Sequence, residues 1–139
     1  MRTIEKFVRK VITTTPQHAV AAVAKLMQEH NVGAVVVVEN LKPVGIVTDR
    51  DLALALGARG ISPQTPITRV MTSPIETVCR DDGIFTVTEC MMEHGVRRLP
   101  VVDDDGVLVG IASLDDVLRV LSRELTNLAE SIRSEMDVK

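Results

Sequence analysis

Apolar positions change their period along this chain, and the changes mark its elements. Val20, Val23, Ala24 and Met27 recur at three- and four-residue spacing, which predicts a helix over Pro16 to His30 with one apolar face. Thr15-Pro16 supplies its start, Thr as N-cap and Pro at the first helical position. Ala34 to Val38 is apolar without alternation, as in a strand covered on both faces. Glu39 to Pro43 turns the chain, and Val44 to Val47 reads as a neighbouring strand. Thr48 then caps a helix from Asp49 to Ala58, ended by Gly57 and Gly60. Ahead of all this, Val11 to Thr14 is short and β-prone, and Phe7 with Val8 can anchor the N-terminal arm on the core.

The same order returns. Ile75 to Cys79 reads as a strand, and Asp81 or Asp82 caps a helix ending near His94 and Gly95. Arg98 to Val102 and Leu108 to Ala112 are strands joined by the Asp103–Gly106 turn. Ser113 caps a last helix whose apolar stripe is Leu114, Val117, Leu118, Leu121, Leu125 and Leu128, running towards Met136. Ser134 to Lys139 is polar and expected to fray. Thr13, Val23, Met27, His30, Val32, Val37 and Val38 stand at one constant interval from Thr77, Val87, Met91, His94, Val96, Val101 and Val102. One extra residue in the second turn then aligns Val44, Gly45, Ile46 and Asp51 with Val109, Gly110, Ile111 and Asp116. A unit of roughly 60 residues is too small for a secure core. Two such units packed about a pseudo-two-fold axis would bury both sheets.

Composition narrows the function. The 139 residues are 45% hydrophobic but 1% aromatic, with no Trp or Tyr. The core must be aliphatic, and the aromatic platforms that stack single-stranded bases are missing. A formal net charge of -3 disfavours a broad nucleic-acid surface. Cys79 and Cys90 have neither disulfide-framework nor metal-site spacing, and Cys90 falls in an apolar helical pattern as a buried thiol. No apolar run reaches the length of a membrane span, and Met1 to Lys6 leads into no signal peptide. A soluble cytoplasmic protein is the expectation. Neither a phosphate loop of the Walker kind nor a nucleophile elbow is present, and no Cys/His/Asp spacing reads as a metal site, so no catalytic residue is assigned.

The sequence resembles a tandem cystathionine-β-synthase-type (CBS) domain pair, or Bateman module. The resemblance rests on Val70-Met71-Thr72, on Asp81-Asp82 before a helix, and on Glu93 to Asp103 with its His94-Gly95-Val96-Arg97-Arg98-Leu99-Pro100 run. The segments Gly45-Ile46-Val47-Thr48 to Asp51 and Gly110-Ile111-Ala112-Ser113 to Asp116 complete it. It implies an α/β fold of two pseudo-two-fold-related β-α-β-β-α repeats packed through their sheets. The repeats would span 7–60 and 71–122, with 61–70 as linker and 123–139 as helix extension and tail. It further implies a non-catalytic sensor that binds AMP, ADP or ATP between the repeats as a regulatory ligand, with S-adenosylmethionine or NAD less favoured. Family members commonly pair as discs, so a homodimer and a regulated protein partner are expected, without membrane or direct nucleic-acid contact. A purely structural oligomerisation module with vestigial clefts is the rival reading.

The candidate site residues carry two readings each. Thr48 with Asp51, and Ser113 with Asp116, can cap helices. In the resembling family the hydroxyl faces phosphate or ribose, and the Asp grips the ribose hydroxyls. A helix N-terminus also suits a phosphate. Arg50 is a surface charge or a phosphate ligand; its counterpart is Asp115, which favours the Asp51 cleft over the Asp116 cleft. Arg97 and Arg98 divide between surface charge and phosphate neutralisation, whereas Arg9 and Lys10 read mainly as surface. Val11, Ile12, Thr13, Ile75 and Thr77 are sheet core or, by the resemblance, adenine-slot residues, joined by Val96, Pro74 and Pro100. His30 and His94 sit at equivalent helix ends, where they can satisfy terminal carbonyls or the helix dipole.

Overall fold

The β-branched runs fold as hairpins, each preceded by one helix. Among residues 4–138, which this computed structural model describes, the first repeat comprises β2 (Thr13–Thr14), α1 (Val20–His30), β3 (Ala34–Glu39), β4 (Lys42–Thr48) and α2 (Asp49–Ala53). The second comprises β5 (Val78–Cys79), α3 (Ile84–His94), β6 (Arg98–Val102), β7 (Leu108–Ser113) and α4 (Leu114–Val138). A two-residue strand, β1 (Val8–Arg9), precedes them. In each repeat a parallel strand and an antiparallel hairpin make a sheet, ordered β2-β3-β4 and β1-β7-β6-β5. The first hairpin turns on Asn40 and Leu41, whose φ angles of 55° and 68° give the mirror-image turn that matches strand twist. The predicted α/β fold, two β-α-β-β-α-like repeats packed through their sheets, is what forms.

Each repeat keeps an aliphatic core between its sheet and helices. Val20, Val23 and Met27 of α1 meet Val35, Val37, Val47 and Leu52 in the first; Val87 and Met91 of α3 meet Leu99, Val101, Ala112 and Val117 in the second. The arm ties itself to the other repeat: Ile4 and Phe7 bury in the second core, with Val8 packed beside them. β1 pairs antiparallel with β7, but β2 pairs with β3. The chain therefore passes from one sheet to the other through Lys10, Val11 and Ile12. A second crossing mirrors the first. Thr72 bridges to Ile46 of β4, and the chain reaches β6 only at Val78. These crossings shorten the predicted strands Val11–Thr14 and Ile75–Cys79 to their last two residues.

Other expectations need correction, for tertiary reasons. α1 starts at Val20, not Pro16, and its N-cap Ala19 has no side-chain cap. The carbonyls of Thr65 and Pro63 instead accept from Val20 and Ala21 at 2.9 Å each, so the inter-repeat segment does the capping. That segment is itself packed: Ile67 is fully buried and Val70 nearly so. Gly83 is the N-cap of α3, while the Asp82 carboxylate accepts from the Cys79 amide at 2.9 Å and closes the preceding turn. After Ala53 the α2 backbone widens to π geometry over Leu54–Ala58. Helix α4 continues to Val138 rather than fraying from Ser134, since no Gly or Pro follows Gly110 to stop it. Residues 1–3 and Lys139, parts of the predicted arm and tail, lie outside the described residues. No helix is long and apolar enough to cross a membrane among the described residues.

Candidate functional site

The two crossings wall two clefts between the repeats. The first, about 320 Å³, lies among the Arg9–Ile12 crossing, Val32 to Ala34 before and in β3, and the β7–α4 junction. Ser113 Oγ accepts from the Asp116 amide at 3.1 Å and so caps α4. The Asp116 carboxylate, only 13% exposed, takes Arg9 Nε at 2.8 Å on one oxygen and Arg119 Nη1 at 3.0 Å on the other. Arg98 and Lys10 complete the rim. Four cations thus line the cleft with two carboxylates, Asp115 and the largely buried Asp116, at the start of a 25-residue helix, whose first-turn amides add positive potential.

Close backbone approach shapes this cleft. A Cβ on Gly110 would fall 2.6 Å from the Arg9 carbonyl oxygen and into the Val8 side chain. Only glycine lets β1 lie this close against β7 and carry Arg9 to Asp116. The repeat-equivalent Gly45 faces the flexible Met71 side chain instead, with Cγ at 2.9 Å. An added Cβ on Gly33 would press on the Asp49 carboxylate at 3.2 Å and only touch Arg98 Nη2 at 3.6 Å.

The second cleft, about 220 Å³, is lined by Ile46, Thr72, Pro74, Ile75, Glu76 and His94 with Val96, Arg98, Leu99 and Pro100. Thr48, Arg50 and Asp51 do not line it. Thr48 and Asp51 close a complete capping box: the Asp51 amide reaches Thr48 Oγ1 at 3.2 Å, and the Thr48 amide reaches Asp51 Oδ2 at 2.9 Å. Arg50 is exposed, its amide bonded to the Asp49 carboxylate at 2.8 Å.

The structure therefore gathers Ser113, Asp116, Val11, Ile12 and Arg98 at the first cleft, and Ile75, Val96, Pro100 and Arg98 again at the second. Thr13 and Thr77 line neither. Arg97 is exposed and does not line the first cleft, but it pairs at 2.8 Å with Asp115, which does, and shares a smaller adjoining cavity with Arg98, Ser113 and Asp115. Sequence reading undervalued Arg9 and Lys10 and overlooked Arg119, although Arg119 stands one helical turn after Asp116, where side chains meet. It read Cys90 and His94 singly and missed their grouping with Glu76, the donor atoms of all three lying within 4.8 Å of one another. Cys90 is half-buried rather than buried. Partial burial raises its thiol pKa above the usual thiol value, and the negative charges of Glu76, Glu93 and Asp82 add to the rise.

Comparison with known proteins agrees with this architecture. The CBS domain family matches twice, over residues 4–58 and 67–123. Uncharacterized protein MK0525 of Methanopyrus kandleri is 37% identical over 127 residues, 90% of this chain; the match spans 65% of that protein's length. The CBS domain pair of protein MJ0100, solved with 5′-methylthioadenosine and S-adenosyl-L-methionine, superposes with a TM-score of 0.79 at 27% identity, covering 89% of this chain and 98% of that one. CBS domain protein PAE2072 from Pyrobaculum aerophilum, complexed with AMP, gives a TM-score of 0.79 at 26% identity, covering 91% of this chain and 99% of that one. Both of these CBS domain proteins were thus solved with adenosine-containing compounds. This chain belongs to the CBS domain family, as a tandem pair.

Proposed function

We propose that the chain is a non-catalytic regulatory module that binds an adenine nucleotide, AMP, ADP or ATP, in the Asp116 cleft. The observation that carries this reading is the grouping of Arg9, Lys10, Arg98 and Arg119 around the α4 N-terminus and the largely buried Asp116. The cations take the phosphates. Asp116 exchanges its arginines for the ribose hydroxyls, and Val11 and Ile12 offer an apolar edge to the base. The volume, about 320 Å³, falls in the usual range for small-ligand pockets. Repeat comparison alone favours the Asp51 cleft because of Arg50; cation placement favours Asp116.

A ligand here touches the crossing arm, the β3 entry and α4, and so joins both repeats. Its effect is a population shift that requires tighter binding to one arrangement than to another. Helix α4 is well placed to pass this on. Leu118, Leu121, Leu125, Leu128 and Ile132 are exposed along it, and this stripe supports homodimer formation as part of the reading. Calorimetric titration of the folded protein with AMP, ADP, ATP, NAD and S-adenosylmethionine tests the proposal. Heat from an adenine nucleotide, with affinity weakened in Asp116→Ala, supports it; no heat from any of the five overturns it.

A further inference from the structure

Away from the Asp116 cleft, two elements bring three unlike metal donors together. Cys90 and His94 stand one turn apart on α3, so both project from the same face. Glu76 reaches them from the second crossing. The thiol, imidazole and carboxylate donor atoms all lie within 4.8 Å of one another. We propose that Glu76, Cys90 and His94 form a binding site for a zinc-class divalent cation.

The geometry needs little adjustment. Metal–ligand bonds of about 2.0–2.3 Å put tetrahedral donors somewhat under 4 Å apart. His94 Nε2 and Glu76 Oε2 are already 3.7 Å apart, and their side chains are 40% and 52% exposed, free to rotate inward. Helix α3 holds the Cys90–His94 spacing rigid while Glu76 closes on it. At 3.7 Å between exposed groups, an ion pair of Glu76 with His94 contributes little by itself.

The donor set selects the ion. A sulfur and an imidazole nitrogen favour zinc, whereas magnesium and calcium demand oxygen. Glu93 and Asp82 add negative charge nearby, which a dication offsets. Three protein donors leave one position for water or another ligand. Because Glu76 and His94 also line the second cleft, the site adjoins it. A second grouping, Cys79 with Asp81 and Asp104, offers one sulfur among carboxylates and no imidazole; it serves as the internal control.

Cobalt(II) tests the site, since its thiolate complexes have a near-ultraviolet charge-transfer band and visible bands that report four-coordination. Reduced, chelator-treated protein is titrated with cobalt chloride alone and then with zinc chloride. One equivalent should develop the thiolate band, and zinc should abolish it. Cys79→Ser should retain the band, while Cys90→Ser and His94→Ala lose it with an unchanged circular dichroism spectrum. Should Cys90→Ser fail to fold, His94→Ala and Glu76→Gln carry the same expectation. A folded wild type without the band, a band kept in Cys90→Ser or His94→Ala, or a band lost in Cys79→Ser overturns the assignment. Nucleotide titrations run in chelator keep this outcome separate from that of the Asp116 cleft.

Discussion

Replacing Asp116 by Ala separates binding from stability. In the free protein the carboxylate holds Arg9 at 2.8 Å and Arg119 at 3.0 Å, but these side chains are 63% and 57% exposed. Solvent screening limits the two pairs together to about 1 kcal/mol. The Ser113 cap survives, because its donor is the backbone amide of position 116. Unfolding temperature should therefore fall by only about 2–4 °C. Binding should suffer more. A carboxylate gripping ribose contributes about 1.5–3 kcal/mol per charged hydrogen bond. The released arginines recover part of that at the phosphates. A net loss of about 2 kcal/mol corresponds to a roughly 30-fold weaker Kd. Asp51→Ala should do the reverse. It opens the complete capping box of α2, costs about 1 kcal/mol of stability, and leaves the nucleotide Kd unchanged. Calorimetry beside thermal denaturation reads both quantities on the same samples. Wild-type affinity in Asp116→Ala, or affinity lost only in Asp51→Ala, would refute the assignment.

Gly110→Ala should cost about 2–3 kcal/mol, because its Cβ meets Arg9 backbone that cannot yield; Gly45→Ala, facing the flexible Met71 side chain, should cost less, and chemical denaturation compares them. Leu99→Ala, nearly fully buried in the second core, should lose about 2–5 kcal/mol by the same measurement. In metal-free buffer, alkylation of Cys90 should accelerate only at higher pH than for a free thiol. Its raised pKa keeps the group protonated, and so unreactive, through the neutral range; a peptide-like rate profile in a Cys79→Ser background would contradict this. Leu125→Glu with Leu128→Glu, both on the exposed stripe of α4, should shift light-scattering mass to the monomer while leaving the unfolding temperature of dilute protein nearly unchanged.

Local pattern by itself determined much of this protein. The doubled order of apolar runs, hydroxyl residues and carboxylates marks two similar units, and β-branched runs such as Ala34 to Val38 can satisfy their burial only inside a sheet covered on both faces. Ser113 and Thr48 declare their helix starts because a cap is a contact within a few residues. Tertiary structure decided what depends on distant partners. The inter-repeat segment, not Thr15, satisfies the first amides of α1. The close antiparallel pairing of β1 with β7, which Gly110 permits, brings Arg9 to Asp116. Glu76 meets Cys90 and His94 only because the second crossing passes α3. Thr48 with Asp51 and Ser113 with Asp116 look alike in the chain, yet one carboxylate closes its own helix cap and the other collects two arginines. Their difference lies in which charges the fold delivers, and that is set by chain path rather than local pattern.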